Sequence, residues 1–126
     1  MHTQALRDPR PVARDTHGQW LVAGVRCTAC EFASVLDTRR CPACTAAVAE
    51  QEFGPEATIW SHTVVRIPFN DRTPPYAIAY VDLDGGGARI LVHLDEDGAV
   101  KPVRVGGRVR LTGKTGHGDL AAEVIS

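Results

Sequence analysis

Hydrophobic and polar positions alternate along most of the second half of the chain. Five short runs rich in valine, isoleucine and threonine are separated by glycine- and proline-rich turn sequences, a pattern typical of β-strands. The runs are TIWSHTVVRI (58–67), YAIAYVDL (76–83), GGGARILVHL (85–94), VGGRVRLTG (105–113) and LAAEVIS (120–126). No segment shows the sustained 3.6-residue period of an amphipathic helix. The pattern therefore predicts a small β-barrel, and the OB-fold is the common five-stranded barrel, with an SH3-like barrel as the alternative.

The first half of the chain is organised differently. The run GQWLVAGVRC (18–27) predicts a strand with Trp20 and Leu21 as apolar anchors, and TAAVAEQEF (45–53) predicts a second strand or a linker. Residues 1–18 contain two prolines and alternating charges, which favours an extended arm. We therefore predict three parts: an N-terminal arm (1–18), a cysteine-containing module (19–50) and the barrel (51–126).

Composition and charge restrict the function classes. The chain has 126 residues, 44% of them hydrophobic, and a formal net charge of −1. A general polyanion binder usually carries a basic excess, so this balance argues against one. No apolar run approaches the roughly 18 residues that a membrane span needs, and the N-terminal stretch lacks the apolar core of a secretory signal. We expect a cytoplasmic protein, in which thiols stay reduced.

The four cysteines of the chain form two CxxC pairs, Cys27 with Cys30 and Cys41 with Cys44, separated by ten residues. Two such turns brought together make a closed four-thiolate cage with Zn–S bonds of about 2.3 Å. The spacing predicts a structural zinc site in a rubredoxin-like zinc ribbon. Iron in the same cage is one alternative, and a redox or disulfide use of the thiols is another.

The residues around the cage refine this hypothesis. Four thiolates on Zn²⁺ carry a formal charge of −2, which Arg26, Arg39 and Arg40 could offset. The residue after each knuckle is often glycine because the turn favours a positive φ there. Glu31 and Thr45 occupy those positions here, and a β-branched residue disfavours positive φ. We therefore expect a different turn after each knuckle.

The order of these parts resembles a known family. The pattern C-x2-C-x10-C-P-x-C is followed by S-x-T-V-V at 61–65, P-Y-x-x-A-x-V-x-L at 75–83 and V-G-x-R-V at 105–109. From Trp20 to Ile125 the chain closely resembles the bacterial and archaeal zinc-ribbon/OB-fold proteins associated with acyl-CoA metabolism. It departs from that family in lacking the knuckle glycines and in having a proline-broken arm in place of a longer helical lead.

The resemblance implies an accessory role. Family members act as small non-catalytic subunits of thiolase-superfamily enzymes, which are thiolases, acyltransferases or steroid side-chain retro-aldolases. They stabilise the enzyme and help to enclose the coenzyme A thioester that the two proteins share as a ligand. A dimeric partner would give a heterotetramer. On this basis we expect no catalytic residue in this chain.

Six residues are candidates for contact with CoA or with the partner. Arginine guanidinium groups bind phosphates well, and exposed aromatic residues suit protein contacts. Solvated surface groups, or counter-charges for the cage, are the alternative interpretation. The candidates are Arg39, Arg40, Trp60, Arg66, Arg72 and Tyr76.

Two other functions remain open at this stage. The barrel could bind single-stranded nucleic acid by stacking bases on Trp60 and Tyr80, although residues 51–126 hold eight Lys/Arg against ten Asp/Glu. The chain could also be a free acyl-CoA carrier without a protein partner. A catalytic histidine is disfavoured because no motif supplies a nucleophile or an acid, so His62 and His93 are predicted as barrel-surface residues.

Overall fold

The computed structural model describes residues 11–35, 38–68, 71–94 and 103–125, and within these ranges the protein is built from β-strands. No helix in this part of the chain is long and apolar enough to cross a membrane. The strands are β1 (Ala13–Thr16), β2 (Gln19–Cys27), β3 (Ala33–Ser34), β4 (Val48–Phe53), β5 (Glu56–Val65), β6 (Tyr76–Leu83), β7 (Arg89–Leu94), β8 (Arg108–Lys114) and β9 (Leu120–Val124).

The first four strands form one sheet around β2. β2 pairs antiparallel with β1, with β3 and, over six residue pairs from Val22 to Cys27, with β4. The two strands predicted next to the cysteines are thus present as β2 and β4. The sheet extends beyond the predicted module on both sides, because β1 lies within the segment assigned to the arm and β4 continues to Phe53. Residues 1–10 of the predicted arm lie outside the described residues.

The last five strands close into a barrel in the order β5-β6-β7-β9-β8. β7 and β9 pair in parallel, and the other four neighbouring pairs are antiparallel. This is the five-stranded barrel of the OB-fold. The predicted fold class, a mostly β chain with a cysteine-bearing N-terminal module and an OB barrel, is confirmed. The alternative prediction of an SH3-like barrel is wrong.

Strict alternation of side chains produces the barrel core. In β6, Ala77, Ala79, Val81 and Leu83 are buried, while the residues between them lie on the other face of the strand. Small alanines at several inward positions leave room for larger neighbours such as Ile59, which is 1% exposed. The same buried cluster includes residues of the first sheet, so the two modules share one core.

Phe53 and Arg26 are among the side chains that join the first sheet to the barrel. Phe53, at the end of β4, is 1% exposed and belongs to the shared core. The guanidinium of Arg26 lies 5.6 Å from the centroid of the Phe53 ring. It donates hydrogen bonds to Gln51 Oε1 at 2.9 Å, to the carbonyl of Glu31 at 2.9 Å and to the carbonyl of Gly85 in the β6–β7 turn. Arg26 thus connects the ribbon, the first cysteine turn and the barrel.

The close approach of strands at Gly24 gives a test of this packing. A Cβ at Gly24 would lie 2.5 Å from the carbonyl oxygen of Ser34 and 2.7 Å from a ring carbon of Phe53. We expect Gly24→Ala to lower the free energy of unfolding by about 2 kcal/mol, because neither neighbour can move without disturbing the core. Urea unfolding measures the effect. Gly116→Ala is the matched control, since a Cβ there meets nothing within 4 Å. Equal stability of the two variants would contradict the packing described here.

Candidate metal centre and the exposed face of the barrel

The four cysteine sulfurs converge on one point. Their Sγ atoms all lie within 4.8 Å of one another. The Sγ–Sγ distance is 3.4 Å between Cys27 and Cys44 and 3.6 Å between Cys30 and Cys41. Both distances are far longer than the roughly 2.05 Å of a disulfide and close to the ~3.8 Å edge of a tetrahedron with 2.3 Å metal–sulfur bonds. The arrangement fits a four-coordinate metal ion.

Backbone hydrogen bonds shape each cysteine turn. The N–H groups of Ala29 and Cys30 donate to Cys27 Sγ, both at 3.3 Å. In the second turn the N–H of Ala43 donates to Cys41 Sγ at 3.3 Å. Cys27 and Cys41 are buried, and the second cysteine of each pair is exposed. The first cysteine of each turn is therefore fixed by the fold, and the second closes the cage from the solvent side.

The closeness of the thiols shifts their acidities apart. The backbone N–H of Cys30, followed by that of Ala29, lowers the pKa of Cys27 to about 6. For Cys30 the largest single effect is the backbone N–H of Phe32, which lowers the pKa of the thiol. The side chains of Cys44 and Cys27 raise it, and the net result is a pKa of about 12. Thiolates this close repel one another, so a second ionisation is suppressed until a cation neutralises the group. Four such sulfurs are the donor set that a soft divalent metal prefers.

The turns after the cysteine pairs differ from the expectation. Glu31 has φ of 64° and Thr45 has φ of 66°, so both adopt the left-handed conformation that glycine usually supplies. The prediction of a different turn was wrong. Local hydrogen bonds hold Thr45 in place: its N–H donates to the carbonyl of Cys41 at 2.8 Å, and Arg40 donates to its carbonyl at 3.3 Å. The geometry of the cage outweighs the preference of the β-branched residue.

A second notable feature is a set of exposed apolar side chains on the outside of the barrel. Trp60, Tyr80 and Leu91 are 52%, 47% and 41% exposed, and we call them the aromatic face. Tyr80 lies directly opposite Leu91 on the neighbouring strand. The rings of Trp60 and Tyr80 meet edge to face with centroids 6.5 Å apart. A β-bulge between Ile59 and Ser61 interrupts the register of β5 at Trp60.

The aromatic face is bordered by an ion pair and a shallow groove. Arg89 lies 4.0 Å from the centroid of the Trp60 ring and bonds Asp82 at 2.7 Å. A groove of about 130 Å³ runs beside Tyr80 and Leu91. Leu91 and Arg89 were missed by the sequence analysis. Their alternation with the buried Ile90 and Val92 along β7 was the signal that could have placed them on this face.

The six predicted contact residues fall in separate places. Arg39 and Arg40 are exposed in the ribbon, next to the second cysteine turn, and Arg66 is exposed just after β5. Trp60 belongs to the aromatic face. The remaining two, Arg72 and Tyr76, belong to a polar cluster at one end of the barrel. The structure therefore does not bring the six together into one site.

The polar cluster ties two loops to β7. Arg72 donates to both carboxylate oxygens of Asp119, each at 2.8 Å, and Asp119 Oδ2 lies 3.3 Å from His93 Nε2. The ring of Tyr76 stacks on His93 with centroids 5.5 Å apart. Burial lowers the pKa of His93, against the opposing effect of Asp119. Arg72 is thus already paired with a carboxylate, and His93 is partly buried rather than a simple surface residue; His62 is exposed as expected.

Comparison with known proteins places this geometry in a family. Residues 50–114 match the model of the family described as "ChsH2, C-terminal OB-fold domain". The chain belongs to this family. The match covers β5 to β8 completely and stops before β9, so four of the five barrel strands define membership. No curated protein matches the chain in sequence.

Solved structures resemble the ChsH2-type chain in fold. A chain of the Ltp2-ChsH2(DUF35) aldolase superposes with a TM-score of 0.64 at 22% identity, over 82% of this chain and 84% of that one. A DUF35-family protein of unknown function from Sulfolobus solfataricus superposes with a TM-score of 0.61 at 19% identity, over 83% of this chain and 76% of that one. Both matches cover more residues than the barrel contains, so each includes part of the N-terminal half as well.

The positive φ of Thr45 gives a test of the backbone strain in the second cysteine turn. We expect Thr45→Gly to raise the free energy of unfolding of the metal-loaded chain by about 1 kcal/mol, because glycine adopts a positive φ without the cost that threonine bears. Urea unfolding at saturating metal measures the change. Ala43→Gly in the same turn is the control, since Ala43 has no positive φ and glycine there only adds disorder to the unfolded chain. A gain in both variants, or in neither, would contradict the interpretation.

Proposed function

We propose that this chain is a non-catalytic accessory subunit of a thiolase-superfamily enzyme that acts on acyl-CoA, such as a thiolase, an acyltransferase or a steroid side-chain retro-aldolase. Its work is to dock on that enzyme, stabilise it and help to enclose the thioester substrate. Membership in the ChsH2 C-terminal OB-fold family supports the proposal, and one relative of the same fold is a chain of an aldolase. The reaction itself would take place on the partner.

The aromatic face is the observation that carries the docking role. Trp60, Tyr80 and Leu91 leave large apolar surfaces in water beside Arg89. Contiguous exposed apolar surface marks interaction sites, and Trp, Tyr and Arg are the residues that most often dominate protein interfaces. Because the rings are held against one another and against Arg89, the face is already ordered before binding. Little side-chain entropy is then lost on docking.

Ion pairing on the barrel favours a protein partner over nucleic acid. Arg89 is paired with Asp82, and Arg108 is paired with Glu56 and Asp84. Arg110 is paired with Glu56 and Glu123. A single-strand-binding groove needs unpaired positive charge along the backbone path. These arginines would have to exchange a carboxylate for each phosphate, which removes most of the electrostatic gain.

The metal centre has a structural role in this proposal. We assign zinc to Cys27, Cys30, Cys41 and Cys44, which would hold it as a closed four-thiolate site with no open position for substrate. Metal binding of this kind supplies folding energy to modules too small to fold by core burial alone. Arg40 hydrogen bonds within the second turn and Arg26 within the first, so both also offset the negative charge of the cage.

Enclosure of CoA would use the remaining exposed arginines. Among the described residues no carboxylate pairs with Arg39 or Arg66, and their guanidinium groups could bind phosphates of a CoA tail held by the partner. Covering the channel would exclude water and restrict the tail to a reactive pose. We propose a dimeric partner, hence a heterotetramer, in the cytoplasm.

The zinc assignment predicts one metal ion per chain. Elemental analysis of the purified protein should find zinc in equal proportion to the polypeptide. Cys41→Ser should lose it, and a strong chelator should unfold the β2–β4 sheet, because that sheet is anchored at the cage. Ala29→Ser, in the same cluster but without loss of a thiol, should keep its zinc. Circular dichroism that stays native in chelator would contradict a structural metal.

The docking role predicts a dominant contribution from Trp60. We expect the tagged chain to recover a thiolase-superfamily enzyme from its own host in a fixed ratio, and Trp60→Ala to weaken that complex roughly 10- to 100-fold. Phe32→Ala is the matched control, because Phe32 is an exposed aromatic residue of the ribbon rather than of the barrel. Biolayer interferometry with the recovered enzyme measures both affinities.

Three outcomes would contradict this proposal. One is turnover of an acyl-CoA by the isolated chain. Another is equal affinity of the Trp60→Ala and Phe32→Ala variants for the recovered enzyme. The third is binding of single-stranded nucleic acid that weakens steeply with added salt, which is the signature of phosphate contacts.

A further inference from the structure

The outer surface of the barrel has a polar cavity of about 480 Å³ where β6 begins and where β7 and β8 end. OB barrels bind their ligands on the face of the second and third strands, beside the loops that follow the first and fourth strands. In this chain β6 and β7 are the second and third barrel strands, and the β8–β9 turn follows the fourth. Small-molecule sites usually measure about 300–1,000 Å³. The cavity thus has the position and the size of a ligand site.

The backbone pairing around Ala121 explains why a cavity forms here. Ala121 of β9 pairs with His93 of β7 on one side and with Gly113 of β8 on the other. Its side chain lines the cavity and is too small to fill the space between the two neighbouring strands. The register of β8 with β9 shifts between Leu111 and Gly113, and Thr112 at this bulge also lines the cavity. Bulges beside functional sites often redirect a side chain in this way.

One wall of the cavity is rigid and has its charges compensated. His93 and Tyr76 stack on each other there, and His93 is held by Asp119. Asp119 in turn binds both arms of the Arg72 guanidinium, each at 2.8 Å. The planar fork of an arginine is the group that best binds a carboxylate. Because Asp119 already occupies the fork of Arg72, this wall offers no second carboxylate site.

The donors that remain free are an ammonium group and two hydroxyls. Lys114, Thr112 and Tyr76 all line the cavity. Among the described residues, no side chain or backbone group hydrogen bonds to the Lys114 ammonium or to the hydroxyls of Thr112 and Tyr76. Within the same part of the chain no carboxylate lies within ion-pair distance of Lys114, so its positive charge is uncompensated, unlike that of Arg72. The stacking of Tyr76 on His93 fixes the ring that carries one of these hydroxyls.

We propose that this cavity binds the phosphate group of a small molecule, with Lys114, Tyr76 and Thr112 as its hydrogen-bond donors. A tetrahedral oxyanion presents oxygens in several directions, and these donors come from two different strands, β6 and β8. Lysine binds phosphate as a point charge, without the planar geometry that arginine requires. The volume leaves room for an organic group beside the phosphate. The site goes beyond the proposed function and does not rest on it, because the chain would bind such a ligand alone.

Nuclear magnetic resonance titration of the full, isotope-labelled, metal-loaded chain tests the proposal. The probes are adenosine 5′-monophosphate, adenosine and inorganic phosphate, at matched ionic strength and about pH 7.5, where a phosphate monoester is mostly dianionic. The monophosphate should shift the amide signals of Tyr76, His93 and Lys114 with a Kd on the order of 1 mM or lower. Adenosine should bind at least about tenfold more weakly, because it lacks the charge that Lys114 neutralises.

Inorganic phosphate distinguishes the two sources of the anion. Equal affinity for inorganic phosphate and the monophosphate at the same amides would identify free phosphate as the ligand. Weaker binding of inorganic phosphate would identify a phosphate monoester, because the organic group then contributes contacts. Both results support the site. Absence of shifts at these amides up to about 20 mM of either phosphate, or equal binding of adenosine and its monophosphate, would overturn the proposal.

Variants of the lining residues locate the site. Lys114→Gln should weaken monophosphate binding at least about tenfold, and Tyr76→Phe, which keeps the ring, about threefold or more. Ala121→Leu should abolish binding by filling the cavity without a change in charge. Arg110→Gln is the matched control, because it removes one positive charge from the same strand at a residue that lies outside the cavity. Amide spectra show whether each variant keeps the fold. Equal weakening by Lys114→Gln and Arg110→Gln, or full binding by a folded Ala121→Leu chain, would contradict the assignment.

Discussion

The contact between Arg26 and Phe53 is the constraint on which the rest of this architecture depends. Phe53 completes a core that contains residues from both the N-terminal sheet and the barrel, and Arg26 covers its ring. The same guanidinium reaches the first cysteine turn and the β6–β7 turn of the barrel. Ala13 and Val22 of the first sheet belong to the same buried core as the barrel residues. Arg26 therefore fixes the position of the cysteine cage relative to the barrel.

The cage shows how a local constraint can outweigh the preferences of single residues. Four sulfurs within 4.8 Å of one another cannot all ionise without a cation, and their turns require a left-handed residue after each pair. Glu31 and Thr45 accept that conformation although neither is glycine. The cost of order 1 kcal/mol or more per residue is small beside the folding energy that a structural metal supplies. The strain persists because the metal site, rather than the turn residue, determines the turn.

The barrel separates an apolar interior from an exposed aromatic surface. Its inward positions are filled by apolar side chains, and its outward positions on β5, β6 and β7 carry the aromatic face. At Trp60 a bulge interrupts the register of β5 with β6. The aromatic face is ordered in the free chain, because its rings contact one another and Arg89.

The sequence by itself determined the cysteine cage, the strands and the OB barrel, because those features depend on local spacing: CxxC pairs, alternating apolar residues and glycine-rich turns. It did not determine the joint at Arg26 and Phe53, the pairing of Arg72 with Asp119, or the union of Trp60 with Leu91 and Arg89. These contacts link residues 27 to 47 positions apart or depend on cross-strand register, which no local pattern encodes. For the same reason the six predicted contact residues proved to lie in separate places. Residue type indicated which side chains could bind, and only the closure of the barrel decided which of them share a surface.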